Sequence, residues 1–265
     1  MTARGWAVVT GASSGIGREI ACVLAEQGHD LVLVARRGPV LEALAEDLRQ
    51  RCGVQAHTVA LDLGDRDAPR RLAQQLQADD IVPAVLVNNA GFGLYGAHAK
   101  QDPEQVRALL ELNIVALTLL TRQLLPPMLQ AGRGRILNIA STAAFLPGPR
   151  MATYFASKAY VLSYSEALAE ELAGRGISVT ALCPGPTRSE FFERAGMSPA
   201  VLAMGRMPSS REVAEFGVRA MQRGQRVAIH GASNHLLAFL PRLAPRRAVA
   251  WVVGWITRPR GRRAG

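Results

Sequence analysis

Lysine is nearly missing from this chain. Of its 31 basic residues only Lys100 and Lys158 are lysines, and all the others are arginines. Cysteine is scarce as well. Cys22, Cys52 and Cys183 lie far apart without metal-ligand spacing, which excludes a zinc module or a disulfide scaffold and reads as small buried residues in a reducing compartment. Acidic residues are absent from Leu236 to the end, where Arg242, Arg246, Arg247, Arg258, Arg260, Arg262 and Arg263 fall. Those arginines carry most of the net charge of +10, so the body is close to neutral and offers no broad basic face for nucleic acid. The first apolar run, Trp6–Thr10, is too short for a signal-peptide core, so no targeting segment is expected and a cytoplasmic location is.

What is present is an alternation. Apolar-rich segments (Trp6–Thr10, Leu31–Ala35, Val54–Leu61, Val85–Val87, Arg135–Ala140, Ile177–Leu182, Arg226–His230) read as strands, Leu31–Ala35 being a continuous apolar run of the kind buried on both faces. Helical patterns lie between them, at Gly17–Gln27, Val40–Arg51, Asp67–Ala78, Pro103–Leu129, Ala152–Ala173 and Arg211–Gln222. Strand and helix in turn mean βαβ units. The expected fold is α/β, one doubly wound Rossmann-type domain with a seven-stranded, mainly parallel sheet and helices on both faces. It should span residues 1–234, with a lid at about 187–210 and an apolar, arginine-rich extension over 235–265.

The scarce lysine then becomes informative. Tyr154 and Lys158 are spaced i,i+4 and share a helix face, with Ser141 upstream at a strand end. A cation near the phenol favours phenolate and should lower the tyrosine pKa from about 10 toward neutrality, giving a general acid/base. The spacing alone also arises by chance, so the rest of the chain must supply partners for it.

It supplies a phosphate loop. Thr10-Gly11-Ala12-Ser13-Ser14-Gly15-Ile16-Gly17 follows the first strand, where glycines permit a sharp turn and the next helix offers free N–H groups to a pyrophosphate. The spacing G-x-x-x-G-x-G departs from G-x-G-x-x-G. Asp30 precedes the second strand, whereas a ribose-binding acid belongs at that strand's C-terminal end. That end carries Ala35-Arg36-Arg37, which suits a 2′-phosphate and NADP(H) over NAD(H), or else merely opens a solvated helix.

Together these residues resemble the short-chain dehydrogenase/reductase family over about residues 5–230. The ordered set is Gly11/Gly15/Gly17, Asp62, Asn88-Asn89-Ala90-Gly91, Asn113, Ser141, Tyr154/Lys158 and Pro184-Gly185. The resemblance implies that Tyr154 exchanges a proton with the substrate oxygen, Ser141 orients that oxygen, Lys158 binds the nicotinamide ribose and lowers the Tyr154 pKa, and Asn113 holds a relay water. It places Ser13, Ser14 and Ile16 with the glycines at the phosphates, and Asp62 and Leu63 at the adenine. Asn89, Ala90 and Gly91 would lie along the adenosine ribose, and Pro184, Gly185 and Thr187 at the nicotinamide, with Asn88 bracing the sheet. It also implies a homodimer or homotetramer formed through the helices of Asn113 and Tyr154.

The stretch Thr187–Pro208, with Phe191, Phe192, Met197, Val201, Leu202, Met204 and Met207, fits an apolar lid over a small hydrophobic carbonyl or alcohol substrate, or simply packs onto the body. Phe145, Leu146 and Met151 are further wall candidates. In the extension, Trp251 and Trp255 share a helix face among arginines. The extension either docks on protein or makes a peripheral membrane contact, which leaves membrane association as the alternative to a purely cytoplasmic location. The activity expected is an NADP(H)-dependent oxidoreductase interconverting a ketone or aldehyde with an alcohol. The alternative is a catalytically silent dinucleotide-binding sensor or scaffold. No metal site is expected.

Overall fold

The computed structural model describes residues 4–188, 190–191 and 207–258. Its frame is one seven-stranded sheet in the order β3-β2-β1-β4-β5-β6-β7. The strands are β1 (Trp6–Thr10), β2 (Asp30–Ala35), β3 (Ala56–Ala60), β4 (Pro83–Asn88), β5 (Gly134–Ile139), β6 (Ile177–Cys183) and β7 (Val227–Ile229). Every pairing is parallel, so the sheet expected to be mainly parallel is wholly so. Chain order reverses between β1 and β4, and ligands in open α/β sheets bind at such a switch point, beyond the C-terminal strand ends.

Helices cover both faces: α1 (Gly15–Glu26), α2 (Gly38–Cys52), α3 (Ala68–Ala78), α4 (Pro103–Leu110), α5 (Leu117–Gln130), α6 (Ala152–Glu171) and α7 (Ser210–Gln222). One face of the sheet packs Ala7, Val9, Leu31, Leu33, Val85 and Val87 against α1, α2 and α7. The other packs Val8, Val32, Leu86 and Ile136 against α3, α5 and α6. Alternating residues of one strand thus enter opposite cores, which is why Leu31–Ala35 reads as a continuous apolar run.

The single helix expected over Pro103–Leu129 is interrupted. A π-helical turn, Glu111–Ala116, joins α4 to α5 and carries Asn113. Apolar periodicity does not reveal the extra residue, because Leu109, Leu117 and Leu120 stay buried on either side of it. Pro103–Gln130 is also long and apolar enough to cross a bilayer. Its Leu120, Leu124 and Met128 lie in the core beside the sheet, so it is a core helix.

A polar chain ties this layer together. The Asn88 amide donates to Thr121 Oγ1 and to Asn138 Oδ1, both at 2.9 Å, and Asn138 Nδ2 donates to Ser165 Oγ at 2.9 Å. All four residues are buried, so each bond replaces water that is not there.

The domain boundary expected at 234/235 falls inside a helix. The extension folds as α8 (Ala232–Phe239) and α9 (Arg246–Ile256), and Asn234 of α8 already belongs to the body. Apolar content marked the run from His235, whereas the helix begins just after Gly231, whose φ of +90° breaks the chain direction.

Candidate active site

The glycine turn sits at the C-terminal end of β1, beside β4, at the switch point. Gly11 has φ +66° and Gly15 φ +57°, conformations that suit glycine. A methyl group on Gly11 would lie 2.6 Å from Asn89 Nδ2 and 3.0 Å from the Ala90 Cα, and one on Gly17 would collide with the Asn89 amide and lie 2.6 Å from the Gly11 carbonyl. Close backbone approach therefore requires these glycines. Ser14 stands at the N-cap of α1 without a side-chain capping bond, so the helix's first N–H groups are not capped by that hydroxyl. Ile16 packs onto the core.

Thr10, which the sequence reading did not single out, holds the turn to β4. Its hydroxyl donates to the Val87 carbonyl and accepts from the Asn89 and Ala90 N–H groups at 2.9 and 3.1 Å. The Asn89 side chain donates to the Thr10 and Gly11 carbonyls, so it braces the loop. A buried threonine ending an apolar strand was the available signal.

Arg36 and Arg37 follow β2, beside this loop. Arg37 donates to Ser13 Oγ from Nε (3.3 Å) and Nη2 (3.1 Å) and to the Ser13 carbonyl (3.2 Å), with Glu190 at 3.6 Å. Arg36 pairs with Asp62 at 3.6 Å, and both are exposed. Asp62 also accepts the Gly64 N–H at 3.0 Å, while the Leu63 side chain is buried in the core and not on the cleft. Asp30, the first residue of β2, is buried and accepts the Gln55 N–H, which removes it from the cleft.

The acid/base group lies across the same edge. Tyr154 and Lys158 are both buried on α6. Ser141 follows β5, caps a 3-10 turn (Thr142–Phe145) by accepting the Ala143 N–H, and lies close enough to the Tyr154 phenol for its hydroxyl to favour the phenolate. The Pro184 carbonyl accepts the Thr142 N–H at 2.9 Å, which ties the β6 end to the serine loop. Lys158 Nζ donates to the Ile139 carbonyl at 2.8 Å and stands 5.8 Å from the Tyr154 ring centre. Asn113 Oδ1 accepts the Phe92 N–H, and its Nδ2 donates to the Phe92 carbonyl and to Ser157 Oγ. A methyl on Gly91 would lie 2.9 Å from Asn113 Oδ1 and 3.7 Å from Lys158 Nζ, so these three positions converge.

The lowering of the Tyr154 pKa expected from Lys158 is opposed by burial. Burial pushes the phenol up to about 12, with the Ser141 hydrogen bond pulling the other way. Burial likewise pushes Lys158 down to about 8, although one of its three N–H groups donates to the Ile139 carbonyl. Desolvation is the largest influence on both groups.

The surroundings of Tyr154 are apolar. Leu109, Ala143, Met151 and Tyr154 form a buried cluster, with Phe92, Leu94, Tyr95, Phe155 and Phe191 packed around them. Phe191 lies 5.3 Å from the Tyr154 ring, centre to centre. Of the other wall candidates, Phe145 packs with Val161 and Cys183 in a neighbouring cluster and Leu146 joins no core cluster. Phe192, Met197, Val201, Leu202 and Met204 lie outside the described residues, as does most of the expected lid. Thr187 is buried and donates to the Gly185 carbonyl at 2.9 Å. A methyl on Gly185 would meet the Asn234 amide, so α8 backs this turn. The sequence offered no signal for Asn234, because it lies beyond the motifs. Among the described residues no cluster of metal-binding side chains occurs.

A phosphate cradle and a buried Tyr–Lys pair on one parallel-sheet edge define a dinucleotide-binding enzyme of the Rossmann type. The short chain dehydrogenase family model matches residues 5–198, and the chain belongs to that family, whose members are dehydrogenases and reductases acting at CH–OH groups. A short-chain dehydrogenase from Sphingobium yanoikuyae, solved with NADPH, superposes with TM-score 0.81 at 35% identity, covering 90% of this chain and 94% of that one. The bulky-bulky ketone specific alcohol dehydrogenase from Comamonas testosteroni superposes with TM-score 0.78 at 30% identity, covering 100% and 97%. A very-long-chain 3-oxoacyl-CoA reductase from Laccaria bicolor is 37% identical over 178 residues, 66% of this chain but 52% of that protein. Several curated relatives are longer in this way, matched over 52% to 60% of their length.

Proposed function

We propose that this protein is an NADP(H)-dependent oxidoreductase interconverting a bulky hydrophobic ketone or aldehyde with its alcohol. The observation that carries the reading is the buried Tyr154–Lys158 pair, with half-buried Ser141 beside it, packed against an apolar wall. The cradle fits a dinucleotide, since the glycine turn at the end of β1 leads directly into the N-terminus of α1, whose first N–H groups the Ser14 hydroxyl does not cap. When bound, the nicotinamide supplies or takes up the hydride. The chain's own part is to present two O–H groups, from Ser141 and Tyr154, to one substrate oxygen, and to pass Tyr154 Hη to it in reduction. Phe92, Leu94, Tyr95, Met151 and Phe191 keep water from that oxygen and favour apolar substituents on either side of it. The substrates for which two relatives are named, a bulky ketone and a very-long-chain 3-oxoacyl-CoA, support an apolar substrate.

Arg36 and Arg37 at the end of β2 support NADP(H). No carboxylate closes that strand, and Arg37 is held in place by Ser13 of the phosphate loop. The double variant R36A/R37A is expected to weaken NADPH binding about 100-fold, as the loss of two charge-assisted phosphate contacts implies, and to change NADH binding by less than about threefold. Titration by nucleotide fluorescence separates the cases. Equal losses for both nucleotides would remove the 2′-phosphate assignment. Oxidation of NADPH by a panel of ketones graded in bulk tests the activity itself, and the reading fails if no ketone is turned over.

Exposed Leu110, Val115 and Leu119 on the α4–α5 helix and Tyr160 on α6 support self-association through these helices. Light scattering should then give a dimer or tetramer mass, and L119R should lower it.

A further inference from the structure

We infer that α8, α9 and the turn between them form a docking surface for an anionic membrane. Leu236, Leu237, Phe239, Leu240 and Leu243 on α8 and the turn, and Trp251, Val252, Trp255 and Ile256 on α9, are all exposed, with Leu243 at 72% and Trp251 at 69%. This is the largest concentration of exposed large apolar side chains among the described residues, and a patch of this kind marks an interaction site.

The other side of α9 is already taken. Val253 and Thr257 face the body. Thr257 Oγ1 donates to the Pro149 carbonyl at 3.2 Å, Tyr95 Oη donates to the Thr257 carbonyl at 2.8 Å, and Arg150 Nη1 donates to the Gly254 carbonyl at 3.0 Å. Arg150 holds φ at +67° at this junction, an uncommon conformation for a residue with a side chain, and its carbonyl accepts the Gly96 N–H. The two readings left open by the sequence are therefore compatible. One face of α9 docks on the body, and the opposite, tryptophan-bearing face remains for a partner.

Charge identifies that partner. After Glu215 the chain contains no Asp or Glu. Arg242, Arg246, Arg247 and Arg258, in the same short segment as these apolar side chains, are exposed as well. A second copy docking through the same patch would set these arginines against each other without a carboxylate on either extension, so self-pairing is disfavoured. A bilayer with anionic headgroups satisfies both parts: the arginines meet phosphates while Trp251 and Trp255 sit at the headgroup level, as interfacial helices place them. This docking does not depend on the reaction assigned above.

The test is flotation of the whole protein with phosphatidylcholine vesicles, with and without phosphatidylglycerol. Binding is expected only with the anionic lipid, weakening as salt rises, with a blue shift of tryptophan emission. The W251S/W255S variant keeps every charge, and its partitioning should fall about tenfold or more, since the apolar term is lost. Its turnover of a water-soluble ketone and its circular dichroism should be unchanged, which shows that the fold survives. Vesicle binding equal to that of the unaltered chain would reduce the effect to bulk charge and overturn the inference. So would failure to bind any vesicle, or a drop in oligomeric mass confined to the variant, which would assign the patch to a second copy.

Discussion

Tyr154→Phe is expected to lower kcat/KM for carbonyl reduction by about 10³- to 10⁴-fold, the range for losing a general acid that also donates to the substrate oxygen. NADPH binding should change by less than about threefold, because the phosphate cradle, Arg36 and Arg37 lie away from the phenol and the ring itself remains. The argument rests on protonation. Burial raises the Tyr154 pKa to about 12, and the neutral phenol is the form that donates a proton in reduction. Oxidation of the alcohol requires phenolate, so its rate should climb with pH where the reductive rate does not. Steady-state kinetics in both directions checks both points. A phenylalanine variant retaining a tenth of its activity would leave Ser141 or water as the proton source and remove Tyr154 from the role.

Lys158→Met should abolish turnover and at the same time make the free protein more stable at pH 7. Burial lowers the Lys158 pKa from 10.5 to about 8. The unfolded chain therefore binds the proton more tightly than the folded one between those values, and folding stability rises as pH climbs through that window. Below about pH 8 the cost of the buried ammonium is fully present, of order 3 kcal/mol at 1.4 kcal/mol per pKa unit. Methionine removes the charge at similar length but gives up the hydrogen bond to the Ile139 carbonyl, about 1 kcal/mol, so a net gain of roughly 2 kcal/mol remains. In a chain of this size that is a rise of several degrees in Tm. The advantage should shrink by pH 10. Tyr154 does not confuse the measurement, because its raised pKa means its contribution is retained below pH 10 and lost only above it. Thermal melts of both proteins at pH 7 and pH 10 decide the matter, and an equal or lower Tm for the variant at pH 7 would sink the account.

The sequence made the frame legible because doubly buried parallel strands leave continuous apolar runs, and because glycine, arginine, serine and tyrosine occur where strand ends require them. It could not show how burial changes those groups. An i,i+4 pair predicts attraction between phenol and ammonium, and only the packing reveals that desolvation is the largest influence on both. Asn113 shows the same limit. Its position could be read, but the π turn that carries it could not, since an inserted residue leaves the apolar face intact. Thr10 and Asn234 act through groups brought together by the fold: a threonine closing an apolar strand is the one local sign of the first, and nothing local announces the second. The tail's two apolar runs were visible, whereas the division of α9 into a docked face and a free face depends on contacts with Tyr95, Pro149 and Arg150.

The polar chain through Thr121, Asn88, Asn138 and Ser165 links α5, β4, β5 and α6, so the helix continuing from Asn113 and the helix carrying Tyr154 and Lys158 are cross-braced through the sheet. Neither can rotate or slide without stranding a buried amide. None of Phe92, Leu94, Tyr95, Met151 and Phe191 belongs to that brace. The brace thus holds the two helices that carry Asn113, Tyr154 and Lys158 at a fixed spacing, and Phe92, whose backbone is bonded both ways by Asn113, couples the apolar wall to the same frame.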